Sequence, residues 1–398
     1  MTKHEETGTP GGVRPSAERE TLRSDRTKPR ERILYISHVD WGWIKQRPHQ
    51  IAEHLRRFFD VTVVFNCNWR RKGLPNKFEF SRSCLPLFHL PLRGRIPLLA
   101  KLDVLAIRLM LRIAIWFVRP RYAWLTWPDL FQYLPRETGV SIIYDCMDDA
   151  QAFPRDAHRI AQIAELESAV VARAEIVFVS SNRLRHILEA RHGQLQKYHL
   201  LRNAFDGKIV SDAGESARSD GAFKIGYCGT IAQWCDWELL TKLVEARPGV
   251  EVHLVGPLDA GASLQVHSQI VWHGPVEHGD LPEIMGAFDC LIMPFKVTPL
   301  IESVDPVKLY EYVNFGKPIV SVFYDEIERF APFVHFYRSH DEALAIVAKL
   351  ASGEIGRKYS NDERRAFLLV NTWAERASVA AALLMASRAY LNQPESEK

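Results

Sequence analysis

Twice along this 398-residue chain, short runs of Ile, Val, Leu and aromatic residues alternate with stretches of helical spacing, and one polar segment separates the two series. Such alternation requires a parallel sheet with helices on both faces. The first series begins abruptly at Arg32. Ile33–Ile36 is an apolar run that ends in Ser37-His38-Val39-Asp40, a buried strand followed by a polar loop. Pro48–Phe59 then places Ile51, Leu55 and Phe58/Phe59 on one helical face. Further strands are expected at Val61–Phe65, Ala123–Thr126, Ile142–Tyr144, Ile176–Val179 and His199–Leu201, with a helix over Ile160–Arg173. The second series predicts strands at Phe223–Cys228, Val250–Val255, Ile270–His273, Asp289–Pro294 and Pro318–Val322, and it closes on a helix over Trp373–Leu391.

The chain therefore reads as α/β, with two doubly wound domains over 31–206 and 222–370. The segment 207–221, small, polar and without period, is the linker. A final helix spans 371–392. Residues 1–30 offer only Met1, Val13, Ala17 and Leu22 as apolar side chains, too few to order the segment or to form a signal-peptide core, so a disordered tail is expected. The six cysteines are scattered, with no CxxC spacing, which argues against a zinc ribbon or disulfide framework and for reduced core or near-surface thiols of a cytosolic protein.

Charge is uneven. The chain carries a formal +3, yet Arg70–Arg121 holds twelve Lys or Arg residues against Glu79 and Asp103, a local +10. Within it, Leu98–Val118 is nearly continuous apolar sequence. Lys101, Arg108, Arg112 and Arg119 fall within about 20° of one line on a helix. Four interior charges argue against a spanning segment. Two readings stand: a basic stripe in solvent with Leu and Ile against the sheet, or docking of residues 93–121 on an anionic membrane surface. Nucleic acid fits poorly, because aromatic side chains do not interleave with the cations as stacking platforms.

Dinucleotide (GxGxxG), P-loop, HExxH and GxSxG patterns are absent where they would have meaning. Four constellations remain, three of them at expected carboxyl ends of strands, where open α/β sheets bind ligands. His38-Val39-Asp40-Trp41-Gly42-Trp43 with Arg47 supplies polar and aromatic groups for a sugar surface, or ordinary loop packing. Asp145, Asp148 and Asp149 in YDCMDD suit a helix cap, a metal or a general base. Gly226-Tyr227-Cys228-Gly229 opens the second domain with small residues that let backbone approach a phosphate. Lys308 and Glu311 stand at i, i+3, a cation for a pyrophosphate and a carboxylate for ribose hydroxyls, or a surface ion pair.

Taken together these segments resemble the GT-B glycosyltransferases. PVKLYEYVNFGKPIVS is similar to the nucleotide-sugar-binding segment of that superfamily, IGYCGTIAQWCDWELL to its donor-domain opening, and LLRNAFD to the strand end before its interdomain linker. HVDWGWIKQRPHQIAEHL and YDCMDD resemble bacterial enzymes that build teichuronic-acid-like and other surface or exported polysaccharides. The resemblance implies two Rossmann-like domains facing across a cleft, with the last helix crossing back to the first. It places Lys308 on the donor diphosphate, Glu311 on the ribose, the turn of Gly226, Tyr227 and Gly229 by the phosphates, and His273 near the nucleobase. Asp148 aligns with a general base, and His38, Asp40, Trp41 and Arg47 become the acceptor side.

The implied activity is transfer of a sugar from a nucleotide diphosphate, UDP or GDP favoured, to a lipid-linked or polysaccharide acceptor, without metal or other cofactor. The implied setting is cytoplasmic, peripheral on the inner face of the membrane. A nucleotide-sugar epimerase of the same architecture and a non-catalytic sugar-nucleotide or glycan-binding partner stay open. Two departures bear on stereochemistry and charge. Retaining members commonly carry Glu-x7-Glu, but Ser303 stands eight positions before Glu311, and AQWCDW (232–237) lacks the usual Arg and Lys. Inversion with Asp148 as base is the expectation.

Overall fold

The structure is a computed structural model that describes residues 30–43, 45–67, 81, 83–135, 139–205, 207, 209–210, 221–259, 264 and 267–391. The expected tail before residue 30, most of the linker and the basic positions 70–77 and 82 lie outside the described residues.

Strands β1 (Arg32–Ser37), β2 (Asp60–Cys67), β3 (Cys84–Phe88), β4 (Tyr122–Leu125), β5 (Ser141–Cys146), β6 (Ala174–Val179) and β7 (Tyr198–Leu200) form one sheet in the order β3-β2-β1-β4-β5-β6-β7, every pair parallel. Alternate residues of a strand face opposite sides. Here both sides are apolar: Ile33, Tyr35, Val61, Val63 and Phe65 enter one core, and Leu34, Ile36 and Val64 enter the other. The first core is covered by the Arg47–Leu55 helix and by Trp373, Ala377, Ala380, Ala381 and Leu384 of the last helix, Trp373–Leu391. That helix is tied down where the Tyr122 hydroxyl donates to the Leu384 carbonyl at 3.1 Å and the Phe205 N–H to the Asn371 carbonyl at 2.8 Å. The second core lies under the Pro97–Val118, Ala157–Arg173 and Asn182–His192 helices.

A second parallel sheet follows, built from β8 (Phe223–Cys228), β9 (Val250–Val255), β10 (Ile270–Gly274), β11 (Cys290–Met293), β12 (Ile319–Val322) and β13 (Val334–Tyr337) in the order β10-β9-β8-β11-β12-β13. In both sheets the order reverses beside the first strand of the domain, the crevice where doubly wound sheets hold ligands. Strands β3 and β13, neither legible as a strand in the sequence, are edges. The six cysteines are buried free thiols.

The basic helix departs from the simpler sequence reading. Only Asp103, Ile107, Leu111 and Ala114 are buried. Leu105, Leu109, Trp116 and Phe117 point into solvent, the last 70% exposed. Among the described residues no helix is long and apolar enough to cross a membrane.

Candidate active site

On the second domain, the turns after β8 and β9 meet back to back. Gly229 (φ 142°) and Gly256 (φ 137°) adopt backbone angles that favour glycine, and a Cβ on Gly256 would fall 2.2 Å from the Gly229 carbonyl oxygen. Lys308 lies across the same turn: a Cβ on Gly229 would sit 2.0 Å from its Cε and 2.6 Å from its Nζ. Its ammonium is also 5.8 Å from the Tyr227 ring centre and 5.6 Å from that of Phe295. Burial pulls the Lys308 pKa down, against the pull of Glu311 one helical turn on. A half-buried cation, two glycine turns and the N-terminus of the Val307–Phe315 helix make a cradle for a diphosphate. Beside it, Trp272 donates from Nε1 to the Gly256 carbonyl at 2.9 Å and leaves 41% of its surface exposed, a flat apolar face next to the paired turns.

Three donor-side expectations are corrected, two by burial and the third by side-chain packing. Gly226 is inside the sheet, where a Cβ would meet the Phe288 ring at 2.1 Å, so its small size serves packing. Tyr227 is fully buried, and its hydroxyl donates to the Thr230 carbonyl at 2.8 Å; only its ring reaches the cradle, beneath Lys308. His273 is stacked on His253, with Nε2 3.0 Å from His253 Nδ1, and belongs to a cluster with Glu251 and Phe288 on the sheet face. Alternation along β10 sends Trp272 to the opposite side, so the residue at the cradle is one position earlier than expected.

On the first domain, the carboxyl ends of β1, β4 and β5 bring the acceptor-side groups together. Of the three acids at the end of β5 and just past it, two have side-chain partners. Asp145, fully buried, takes a forked pair from Arg47 (2.7 Å from Nη2, 3.1 Å from Nε). Asp149 takes both terminal nitrogens of Arg191, each at 2.8 Å. The Asp148 carboxylate accepts no hydrogen bond among the described residues, and burial, opposed by Arg47 and reinforced by Asp149 and Asp145, lifts its pKa to about 6. Such a carboxyl is poised for proton transfer near neutrality.

Arg47 itself is a correction. It is 4% exposed, and its guanidinium is committed to Asp145 and to Asn203 Oδ1 at 3.1 Å, so it offers no charge to an acceptor. Asp40 shapes its own loop by accepting from the Gly42 N–H at 2.9 Å, and Trp41 lies face to face with His49 and packs on the core. His38 does stand at the site. Its Nδ1 is 2.8 Å from Thr126 Oγ1, burial drives its pKa down to about 3, and its ring lies tilted against Trp127 with centres 4.9 Å apart. Trp127 continues to Phe153 at 5.8 Å, and the Arg155 guanidinium lies over both rings. This aromatic shelf, absent from the sequence expectation, leads away from the β1 and β5 ends and has the shape of a sugar platform.

Asn203 clasps the domains together. Its side-chain amide donates to the Asp305 carbonyl at 2.6 Å and its N–H to Asp305 Oδ2 at 2.7 Å, while Asp305 also receives Tyr310 and Arg329. Ser303, where a retaining enzyme's first Glu would stand, is fully buried, and its hydroxyl bonds back to the Leu300 carbonyl at 2.8 Å. Glu302, one residue out of register, pairs with Arg183 at 3.3 Å. Among the described residues no group of three His, Cys, Asp or Glu is arranged to hold a metal ion.

No family model matches the chain. Among solved structures, the sucrose-phosphate synthase of Thermosynechococcus elongatus superposes with a TM-score of 0.70 at 15% identity, over 91% of this chain and 100% of that one. The fold is GT-B. The Anabaena protein Alr3699/HepE, solved in complex with UDP and glucose, matches this GT-B chain with a TM-score of 0.58 at 14% identity, over 88% and 94%. In sequence, the GT-B chain is 22% identical over 271 residues to the Bacillus subtilis protein TuaH, named for a teichuronic acid biosynthesis glycosyltransferase. The match covers 63% of this chain and 68% of TuaH.

Proposed function

We propose that this GT-B chain transfers a sugar from a nucleoside diphosphate to a hydroxyl of a glycan or lipid-linked glycan acceptor in the synthesis of a bacterial surface or exported polysaccharide. The observation that carries the reading is the Lys308 ammonium held across the Gly229 turn of the second domain, with the raised carboxyl of Asp148 just past the end of β5 in the first. The likeness to TuaH and to a neighbour solved with UDP and glucose supports a nucleotide-sugar donor, with UDP ahead of GDP.

The acceptor oxygen attacks the anomeric carbon as its proton passes to Asp148, and the bond from that carbon to the diphosphate breaks. Negative charge gathers on the leaving diphosphate. Lys308, the paired glycine turns and the helix N-terminus meet it with charge and dipoles already in place. In this reading Glu311 accepts from the ribose hydroxyls and the exposed face of Trp272 stacks on the base. With Ser303 buried and uncharged, the donor wall lacks the second carboxylate of the Glu-x7-Glu pattern, which favours a single displacement that inverts the anomeric centre.

Lys308→Ala removes the cation at the diphosphate. A charge-assisted hydrogen bond contributes about 1.5–3 kcal/mol, so the dissociation constant for UDP or its sugars rises about 10- to 150-fold, measured by calorimetry or by the loss of a ligand-induced rise in melting temperature. Unchanged donor affinity in a folded variant overturns the donor-site reading. A screen of UDP-, GDP-, dTDP- and CMP-sugars by thermal shift on the native protein fixes the nucleobase, since a ligand at 100 times its dissociation constant stabilises by about 2.7 kcal/mol.

A further inference from the structure

The helix Pro97–Val118 turns its most apolar face away from the protein. Its inward line, Asp103, Ile107, Leu111 and Ala114, seats it on the sheet. Leu98, Leu102, Leu105, Leu109, Ile113 and Trp116 fall on roughly the opposite side at 100° per residue, and all are between 44% and 66% exposed. Lys101, Arg108, Arg112 and Arg119 line one flank of that face and are exposed. The helix holds a single acid, Asp103, and it is turned inward, 2% exposed, against His89 Nδ1 at 2.9 Å and Arg93 at 2.8 Å. The outward surface thus combines apolar side chains with uncompensated positive charge.

A second copy of this chain would bring the same cations against each other, whereas an anionic bilayer accepts both features: lipid tails take the apolar line and phosphates the flank. We propose that this face docks on the surface of an anionic lipid bilayer. The helix connects two parallel strands, β3 and β4, so it runs antiparallel to them and its N-terminal end lies at the carboxyl edge of the sheet, the edge that carries Asp148. Exposed Leu92 and Ile96 extend the apolar line at that end. Docking brings the acceptor side of the cleft to the membrane, where a lipid-linked glycan is presented. The docking itself stands independently of the transfer reaction.

Sedimentation of the full chain with vesicles tests it. The protein pellets with phosphatidylglycerol/phosphatidylcholine vesicles, pellets far less with phosphatidylcholine alone, and is released by high salt. Lys101→Gln with Arg112→Gln lowers the partition coefficient about 30-fold, roughly fivefold per cation. Leu105→Gln with Leu109→Gln lowers it more than tenfold. Both variants keep the thermal shift or, if no nucleotide sugar binds, the native melting temperature, so loss of docking is separable from misfolding and from failure of the transferase reading. Failure to pellet, equal pelleting with neutral and anionic vesicles, or a vesicle-independent dimer that the Leu105/Leu109 variant dissolves would each overturn the proposal, the last by assigning the face to a second copy.

Discussion

Asp148→Asn lowers the rate of sugar transfer by about 10²- to 10⁴-fold, the contribution of a positioned general base, without weakening the fold or the binding of donor. The stability half of this expectation follows from the sign of the pKa shift. The carboxyl rises from 3.8 to about 6 in the folded chain, chiefly through burial. Below pH 3.8 it is protonated in the folded and unfolded chain alike. As pH rises past that, the unfolded chain ionises first, and above pH 6 the fold bears a penalty of up to about 3 kcal/mol at 1.36 kcal/mol per unit. Asn carries no such charge, so at pH 7 the variant melts no lower than the native protein. The native enzyme's activity climbs with pH through about 6 as the base loses its proton, and the variant's residual activity lacks that limb. Full transfer activity in the variant would sink the assignment of Asp148 as base. A melting temperature that dropped along with activity would instead place Asp148 among the structural acids.

Arg47→Met has the opposite character, costing stability rather than chemistry. It strands the fully buried Asp145 carboxylate without its forked partner. Breaking a buried pair from one side costs about 3–5 kcal/mol, seen as a shift in denaturant unfolding. The double replacement Arg47→Met with Asp145→Leu recovers most of that loss, because no charge is left in the core. Arg47 also holds Asn203 Oδ1, so the single variant loosens the clasp that Asn203 makes with Asp305 across the two domains. A loss under 1 kcal/mol for the single replacement would show that the pair is not what fixes this loop.

Most of the strands that could be read in the sequence are buried on both faces, as Val61–Phe65 and Val250–Val255 largely are; Ile270–His273 was readable from its β-branched and aromatic run although it is largely exposed. β3 escaped because Pro86 interrupts CLPLF, and proline lacks the donor a central strand needs; the sheet accommodates it at an edge. β13 is a four-residue edge in which His335 breaks the apolar run. At the site, Lys308 and Glu311 were visible because one helix sets their spacing. The misjudged residues depend on partners far along the chain. Arg47 next to Pro48 looks like an exposed loop cation until Asp145, 98 residues on, is folded against it. Gly226 looks like a phosphate turn until Phe288 fills the space where its side chain would be. Trp127 and Phe153 carry no local signal at all, and only the sheet edge brings them into one shelf with His38.

The last helix has a consequence for synthesis on the ribosome. Trp373, Ala377, Ala380, Ala381 and Leu384 complete the core of the domain whose strands were made first. Roughly 180 residues separate Phe205 from Leu384, so at about 5–20 residues per second that core waits some 10–40 s with one side open. The nascent chain is exposed to aggregation for that interval, and a truncation that removes the C-terminal 25 residues or so leaves the amino-terminal half, not the carboxyl-terminal half, as the part that chaperones must hold.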